Sequence, residues 1–238
     1  MQIEGSVALV TGANRGFGEQ VAKALLERGA SKVYAAARKP GTIRLEGVVP
    51  IQLDITDPAA VQSAAEQAPD VNLLINNAGD THKAGLAEGE LAAFRTSMDT
   101  HVFGTLDVSR TFAPVLARNG GGAMLNVLSI LSWYVFPGFA GYCAAKAAAW
   151  SLTNSLRLHL ADQKTLVTAL HVAYMDTDMT KGMEVPKSDP AEVAKLALDG
   201  IEAGQFEIFA DDLTKQVKAG LSADPSVIYP QLAKAKEA

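Results

Sequence analysis

The chain has 238 residues, 48% hydrophobic and 20% charged, with a formal net charge of −5, enough apolar material for one sizeable α/β core. Its lysines and arginines are scattered, which excludes the basic stripe that binds nucleic acid or an anionic membrane. One cysteine, Cys143, excludes an intrachain disulfide, points to a reducing, cytoplasmic setting, and reads as a small buried helix residue.

The opening Met-Gln-Ile-Glu-Gly-Ser lacks a basic n-region and passes straight into a strand pattern, unlike a signal peptide. In chain order, β-branched runs at Val7–Val10, Lys32–Ala37, Val48–Leu53, Leu73–Ile75, Met124–Leu128, Leu166–Val172 and Phe206–Phe209 predict strands. Helical patterns fall between them at Gly18–Arg28, Ala59–Gln67, Glu90–Arg118, Gly141–Ala161 and Ala191–Ile201. Several strand runs are apolar without alternation, as expected of a parallel sheet covered on both faces. The pattern predicts an α/β chain with a single doubly wound parallel sheet of about seven strands, in one domain over 1–238. The apolar stretch 120–152 is interrupted by Asn126, Pro137, glycines and Lys146, so it is no membrane span.

After the first strand comes Thr-Gly-Ala-Asn-Arg-Gly-Phe-Gly, with Gly12, Asn14, Arg15, Gly16, Phe17 and Gly18 leading into a helix. Glycines there let the backbone approach a pyrophosphate seated on the helix N-terminus. The spacing Gly-x-x-x-Gly-x-Gly departs from the common Gly-x-Gly-x-x-Gly fingerprint. The second strand ends at Arg38, where an acid would bind the ribose hydroxyls of NAD. With the acid missing, and Arg15 as a second cation, two guanidinium groups favour NADP(H) over NAD(H). Asp54 and Ile55 end the third strand, where an adenine ring would rest. Asn76, Asn77, Ala78 and Gly79 end the fourth, the amides serving loop structure first and cofactor contact second.

Ser129 ends the fifth strand, with its hydroxyl free to bond a reacting oxygen. Tyr142 and Lys146 stand four apart, on one helix face, and an ammonium beside a phenol favours the phenolate. Such a tyrosine can exchange a proton with an alcohol or ketone oxygen.

With Thr-Gly-x-x-x-Gly-x-Gly at 11–18, Asn-Asn-Ala-Gly at 76–79, and Ser129, Tyr142 and Lys146 in this order, the chain resembles the short-chain dehydrogenase/reductase family through Thr177. The resemblance implies a Rossmann-type, three-layer domain that interconverts a ketone and its alcohol with NAD(P)(H), without a metal. Tyr142 would be the acid/base, Lys146 would hold the nicotinamide ribose and lower the tyrosine pKa, and Ser129 would orient the substrate. It also implies a homodimer or homotetramer, joined through the helices around Phe103–Leu116 and Ala147–Leu160.

Three departures stand out. His101 occupies the place of an Asn that holds a water linked to the lysine; it either extends a proton relay and makes activity pH-dependent, or is a tolerated helix residue that weakens catalysis. Val172-Ala173 replaces a Pro-Gly, altering the loop that leads to Thr177, the residue matching a carboxamide contact. His159, in place of an acid, suits a surface or a subunit contact.

Trp133, Tyr134, Phe136 and Phe139 crowd the loop after Ser129, as pocket or as core. Met175, Met179 and Met183 fall in a stretch, about 176–188, resembling a short substrate lid. Together they suggest a small hydrophobic ketone or alcohol as substrate rather than a phosphorylated or acyl-carrier-bound one. Asp80 either touches a polar group of the substrate or faces water. Asp189-Pro190 predicts a helix start, and Leu213, Val217 and Leu221 make a helical stripe in a C-terminal tail, packing on its own domain or on a partner.

Overall fold

Residues in the middle of Val7–Thr11 and Leu73–Asn76 are fully buried, because helices cover both faces of the sheet they build. The computed structural model describes residues 1–232; the remainder of the expected C-terminal tail, 233–238, lies outside the described residues. Seven strands, β1 (Val7–Thr11), β2 (Lys32–Ala37), β3 (Val49–Gln52), β4 (Leu73–Asn76), β5 (Gly122–Val127), β6 (Thr165–His171) and β7 (Glu207–Phe209), form one sheet. The order is β3-β2-β1-β4-β5-β6-β7, and every pair is parallel.

The helices are α1 (Gly16–Glu27), α2 (Pro58–Gln67), α3 (Leu91–Met98), α4 (Thr105–Arg118), α5 (Ala140–Leu160), α6 (Pro190–Glu202), α7 (Asp212–Gly220) and α8 (Pro225–Ile228). On one face Val21 and Leu25 of α1 pack with Val193, Leu198 and Ile201 of α6. On the other, Val61 of α2, Phe112 and Leu116 of α4, and Leu156 and Leu160 of α5 fill the second core layer. This is a Rossmann-type three-layer fold. The expected cap holds: Asp189 accepts the Ala191 N–H at 2.7 Å, ahead of Pro190. Among the described residues, no helix is long and apolar enough to cross a membrane.

The structure corrects two expectations. The helix expected over 90–118 is divided: α3 and α4 flank a π-helical turn, Asp99–Gly104. Hydrophobic periodicity does not register a single widened turn, yet such turns re-aim side chains at functional sites. Here the turn buries His101. The stripe expected on α7 is also rotated. Leu213 and Leu221 are exposed, while Thr214 is buried, because the Asp211 cap accepts both the Thr214 N–H and its hydroxyl at 2.8 Å and turns that face inward.

Candidate active site

Sheet order reverses at β1, which lies between β2 and β4, and this is where an open α/β sheet binds ligands beyond its strand ends. A cleft of about 1430 Å³ opens there. It exceeds the roughly 300–1,000 Å³ of a typical small-ligand pocket, in keeping with a dinucleotide plus a substrate. Gly12, Asn14, Arg15, Gly16, Phe17 and Gly18 line it, as do Arg38, Asp54, Ile55, Asn77, Ala78, Gly79 and Thr177. The cofactor side expected from the sequence is thus brought together.

The glycines are dictated by close approach. A Cβ on Gly18 would lie 2.3 Å from the Gly12 carbonyl oxygen, and one on Gly12, whose φ is +66°, would lie 2.9 Å from Ala78 Cα. Asn77 locks this loop, donating from its side-chain amide to the Thr11 and Gly12 carbonyls at 2.8 and 3.2 Å. Asn76 donates to Ser109 and to Asn126, at 3.0 and 2.8 Å, inside the core. The amides serve structure first, as expected. Asp54 accepts from the Thr56 N–H and hydroxyl, at 3.0 and 2.7 Å. These bonds, aided by the nearby Arg38 charge and opposed by partial burial, lower its carboxyl pKa. Arg15 pairs with Asp178 at 3.1 Å, in the open.

The reacting side comes from three strand ends and one helix. α5 carries Tyr142 and Lys146 one turn apart, both buried, and Ser129 caps a short 3₁₀ turn, Ile130–Ser132, directly after β5. The Ser129 hydroxyl accepts the Leu131 N–H at 3.1 Å. Lys146 Nζ donates to the Val127 carbonyl at 2.9 Å and sits 5.6 Å from the Tyr142 ring centroid. Burial brings the Lys146 ammonium down to about 8, against the opposing pull of Asp80. Burial, with smaller contributions from Cys143 and Asp80, pushes the Tyr142 phenol well above its ordinary range, and the Ser129 hydroxyl only partly offsets this. The net shift in this structure is upward, whereas the resemblance implies a lowering by Lys146. With desolvation the largest cause, Tyr142 holds its proton in this structure.

His101 is 3% exposed. Its Nε2 lies 2.8 Å from the Asp80 carbonyl oxygen, which makes Nε2–H the donor and leaves Nδ1 an acceptor. Its ring meets the Tyr142 ring edge-on, with centroids 5.0 Å apart. A Cβ on Gly79 would fall 2.6 Å from His101 Cε1, so the glycine makes room for the imidazole. Burial first, then the Lys146 charge, takes His101 down to about 3 despite the Asp80 hydrogen bond. The titration near neutrality expected of this imidazole is therefore absent, because its charged form cannot be solvated. Asp80 lines the cleft and pairs with His82 at 3.2 Å.

Substrate-side expectations divide. Met175 and Met179 line the cleft; Trp133, Phe136, Phe139 and Met183 do not. The 3₁₀ turn after Ser129 swings the aromatic run behind the cleft, where Trp133 stacks on His171 at 3.9 Å and meets Trp150 edge-on at 5.8 Å. Phe136 and Phe139 pack on each other at 6.0 Å. The stretch expected as a lid, 176–188, is closed at its base by a bridge between Met175 and Ser188. His159 is exposed, as expected of a surface residue.

Sequence reasoning missed a network of His171, Arg157 and Glu207 beneath the loop after Ser129. His171 Nε2 lies 2.9 Å from Glu207 Oε2, a contact too bent for an aligned hydrogen bond, and Arg157 pairs with Glu207 Oε1 at 2.9 Å. Burial raises the Glu207 carboxyl, but His171 and Arg157 outweigh it and hold it at about 2. The available signal was a histidine inside an otherwise apolar strand run.

The short chain dehydrogenase family model matches residues 6–187. A 3-oxoacyl-[acyl-carrier-protein] reductase of Vibrio cholerae is 29% identical over 83% of this chain and 83% of its own. Among solved structures, a short chain dehydrogenase from Burkholderia cenocepacia in complex with NADP is 40% identical, covering 98% of this chain and 99% of its own with a TM-score of 0.93. A short chain dehydrogenase/reductase from Burkholderia phymatum in complex with NAD is 25% identical, covering 92% and 93%, with a TM-score of 0.82. With that match and the cleft described above, the chain belongs to the short-chain dehydrogenase/reductase family of nicotinamide-dependent oxidoreductases.

Proposed function

We propose that the protein is an NADP(H)-dependent reductase that converts a small hydrophobic ketone into its secondary alcohol, with Tyr142 as the proton donor. One observation carries this: a buried, protonated Tyr142 facing Ser129, one helix turn from Lys146, at the floor of the cleft. The nicotinamide supplies the hydride when bound. Ser129 donates to the ketone oxygen, Tyr142 gives that oxygen its proton, and the Lys146 cation steadies the phenolate left behind. His101, neutral and edge-on to Tyr142, is proposed as a positioning residue for the phenol, its Nε2–H held by the Asp80 carbonyl and its Nδ1 able only to accept a hydrogen bond. Met175 and Met179 give the substrate an adaptable apolar wall. Leu158, 84% exposed on α5, supports a homodimer or homotetramer.

Following NADPH absorbance against aryl and aliphatic ketones and 3-oxoacyl thioesters tests this, with the hydrophobic ketones expected to be turned over fastest. Strong preference for acidic compounds would contradict the apolar wall. His101 in place of Asn is the one feature favouring a non-catalytic NADP(H)-binding sensor. Tight NADPH binding with no turnover across the panel would establish that alternative.

Arg38 at the end of β2, with Arg15 lining the same cleft and no acid at that point, supports NADP(H). So does the NADP complex of the Burkholderia cenocepacia protein. Arg38→Asp should raise the KM for NADPH at least about tenfold while changing that for NADH little, since it removes one charge-assisted phosphate contact. Equal changes in both would remove Arg38 from the assignment.

The pH profile of ketone reduction follows from two shifted groups. Lys146 is cationic below about 8 and loses its charge above, so kcat should be level through neutrality and fall on the alkaline side. His101, held at about 3, adds no inflection between those limits. His101→Asn should lower turnover by about threefold or more without altering the shape of the profile. An unchanged turnover number would take His101 out of the catalytic set, and an inflection near pH 6.5 lost in the variant would show the imidazole titrating.

A further inference from the structure

The loop from Ser129 to Ala140 is fixed at its two ends. Trp133 and Tyr134 N–H groups donate to the Ile130 carbonyl, both at 3.0 Å, tying them to the turn that Ser129 caps. At the far end, the Ala84 N–H donates to the Gly138 carbonyl at 2.8 Å and the Ala140 N–H to the Ala84 carbonyl at 3.1 Å. The middle of the loop is gripped from behind by residues 211–229. The Tyr229 hydroxyl oxygen accepts the Val135 N–H at 2.8 Å, and the Tyr229 ring stacks on Tyr134 with centroids 5.1 Å apart. Lys218 Nζ lies 4.6 Å from the ring centroids of both Trp133 and Trp150, a cation shared between two indoles. At the start of the same stretch, Asp211 Oδ2 accepts the Ala173 N–H at 2.8 Å, on the loop after β6 that lines the cleft.

We infer that residues 211–229 form a strap that sets the two substrate-side loops, with Tyr229 and Lys218 as positioning residues that determine ketone binding. None of the strap lines the cleft, so it acts only through the loops it holds. It touches Trp133, Tyr134 and Val135, which stand behind the cleft in the loop that Ser129 begins, and Ala173, which lines the cleft, and not the glycine loop, Arg38 or Asn77. Its influence therefore falls on the ketone and spares the dinucleotide. The loop middle carries one backbone hydrogen bond to the strap, and that bond decides whether the segment beyond Ser129 stays in register with the reacting oxygen. This inference rests on the reductase assignment above for its effect on the substrate, but the grip itself can be read without turnover.

Two variants test it in the full-length protein: Tyr229→Phe, which keeps the stacked ring and removes the acceptor, and Lys218→Met, which keeps the stem and removes the cation. Tyr229→Phe should speed amide exchange in the peptide containing Val135. Lys218→Met should change tryptophan emission, which comes wholly from the clamp because Trp133 and Trp150 are the chain's 2 tryptophans. Each variant should raise the KM for the ketone by about three- to tenfold, the span of one ordinary hydrogen bond, while the Kd for NADPH and the Tm stay at the parent values. Faster exchange with an unchanged ketone KM, or equal weakening of ketone and NADPH, would overturn the strap's role in positioning. Unchanged exchange at Val135 would overturn the grip. Absence of ketone turnover in the parent would instead remove the reductase assignment.

Discussion

Tyr142→Phe should lower kcat for ketone reduction by about 10²–10⁴-fold, the range spanned by a positioned general acid. The ring stays, so its edge-on packing against His101 at 5.0 Å is kept and NADPH affinity and Tm should hold. What goes is the proton. Burial pushes the Tyr142 phenol upward, so the hydroxyl is occupied by its proton through the working pH range, and no neighbour can replace it. Lys146 gives one N–H to the Val127 carbonyl and lies 5.6 Å from the Tyr142 ring centroid, and His101 gives its Nε2–H to the Asp80 carbonyl. Ser129 can orient an oxygen, but an aliphatic hydroxyl is a weaker acid than a phenol and does not replace it. Stopped-flow single turnovers at saturating NADPH isolate the chemical step. A variant that reduces ketones as fast as the parent would end the mechanistic account while leaving the fold untouched.

The second large effect is on the cofactor. Gly18→Ala should weaken NADPH binding by more than about a hundredfold and destabilise the protein by roughly 1–3 kcal/mol, the usual cost of overpacking. Its new Cβ would stand 2.3 Å from the Gly12 oxygen and 2.4 Å from the Asn77 amide nitrogen. Neither neighbour can retreat cheaply: one is backbone, and the other is the amide that pins Thr11 and Gly12. The glycine loop must therefore open, taking the helix N-terminus of α1 out of position for a phosphate. Gly41→Ala is the control, since nothing lies within 4 Å of its Cβ position and both binding and Tm should be unchanged. Titration of NADPH by fluorescence, with a thermal melt of each variant, separates the two outcomes.

The cofactor half of the site was legible residue by residue. A glycine spacing, a strand-terminal arginine and an Asn-Asn-Ala-Gly turn are local signals, and each marks a strand end of a sheet whose order follows from βα alternation. The substrate half was less so. Four aromatics in one loop look alike in sequence whether they face a ligand or the interior, and in the structure Trp133 turns toward His171 and Trp150 while Phe136 stays exposed. The π turn at Asp99–Gly104 is equally silent in the hydrophobic pattern, yet it buries His101 beside Tyr142.

The sequence by itself determined the strands along the chain, the glycine loop, and the pairing of Tyr142 with Lys146, because these depend on local propensity and on spacing along one helix or strand. Only the tertiary structure decided the protonation of Tyr142 and His101, the direction of the Trp133 loop, and its attachment to Tyr229. Burial, charge and packing belong to residues far apart in the chain, and desolvation acts on a side chain only once the fold has closed around it.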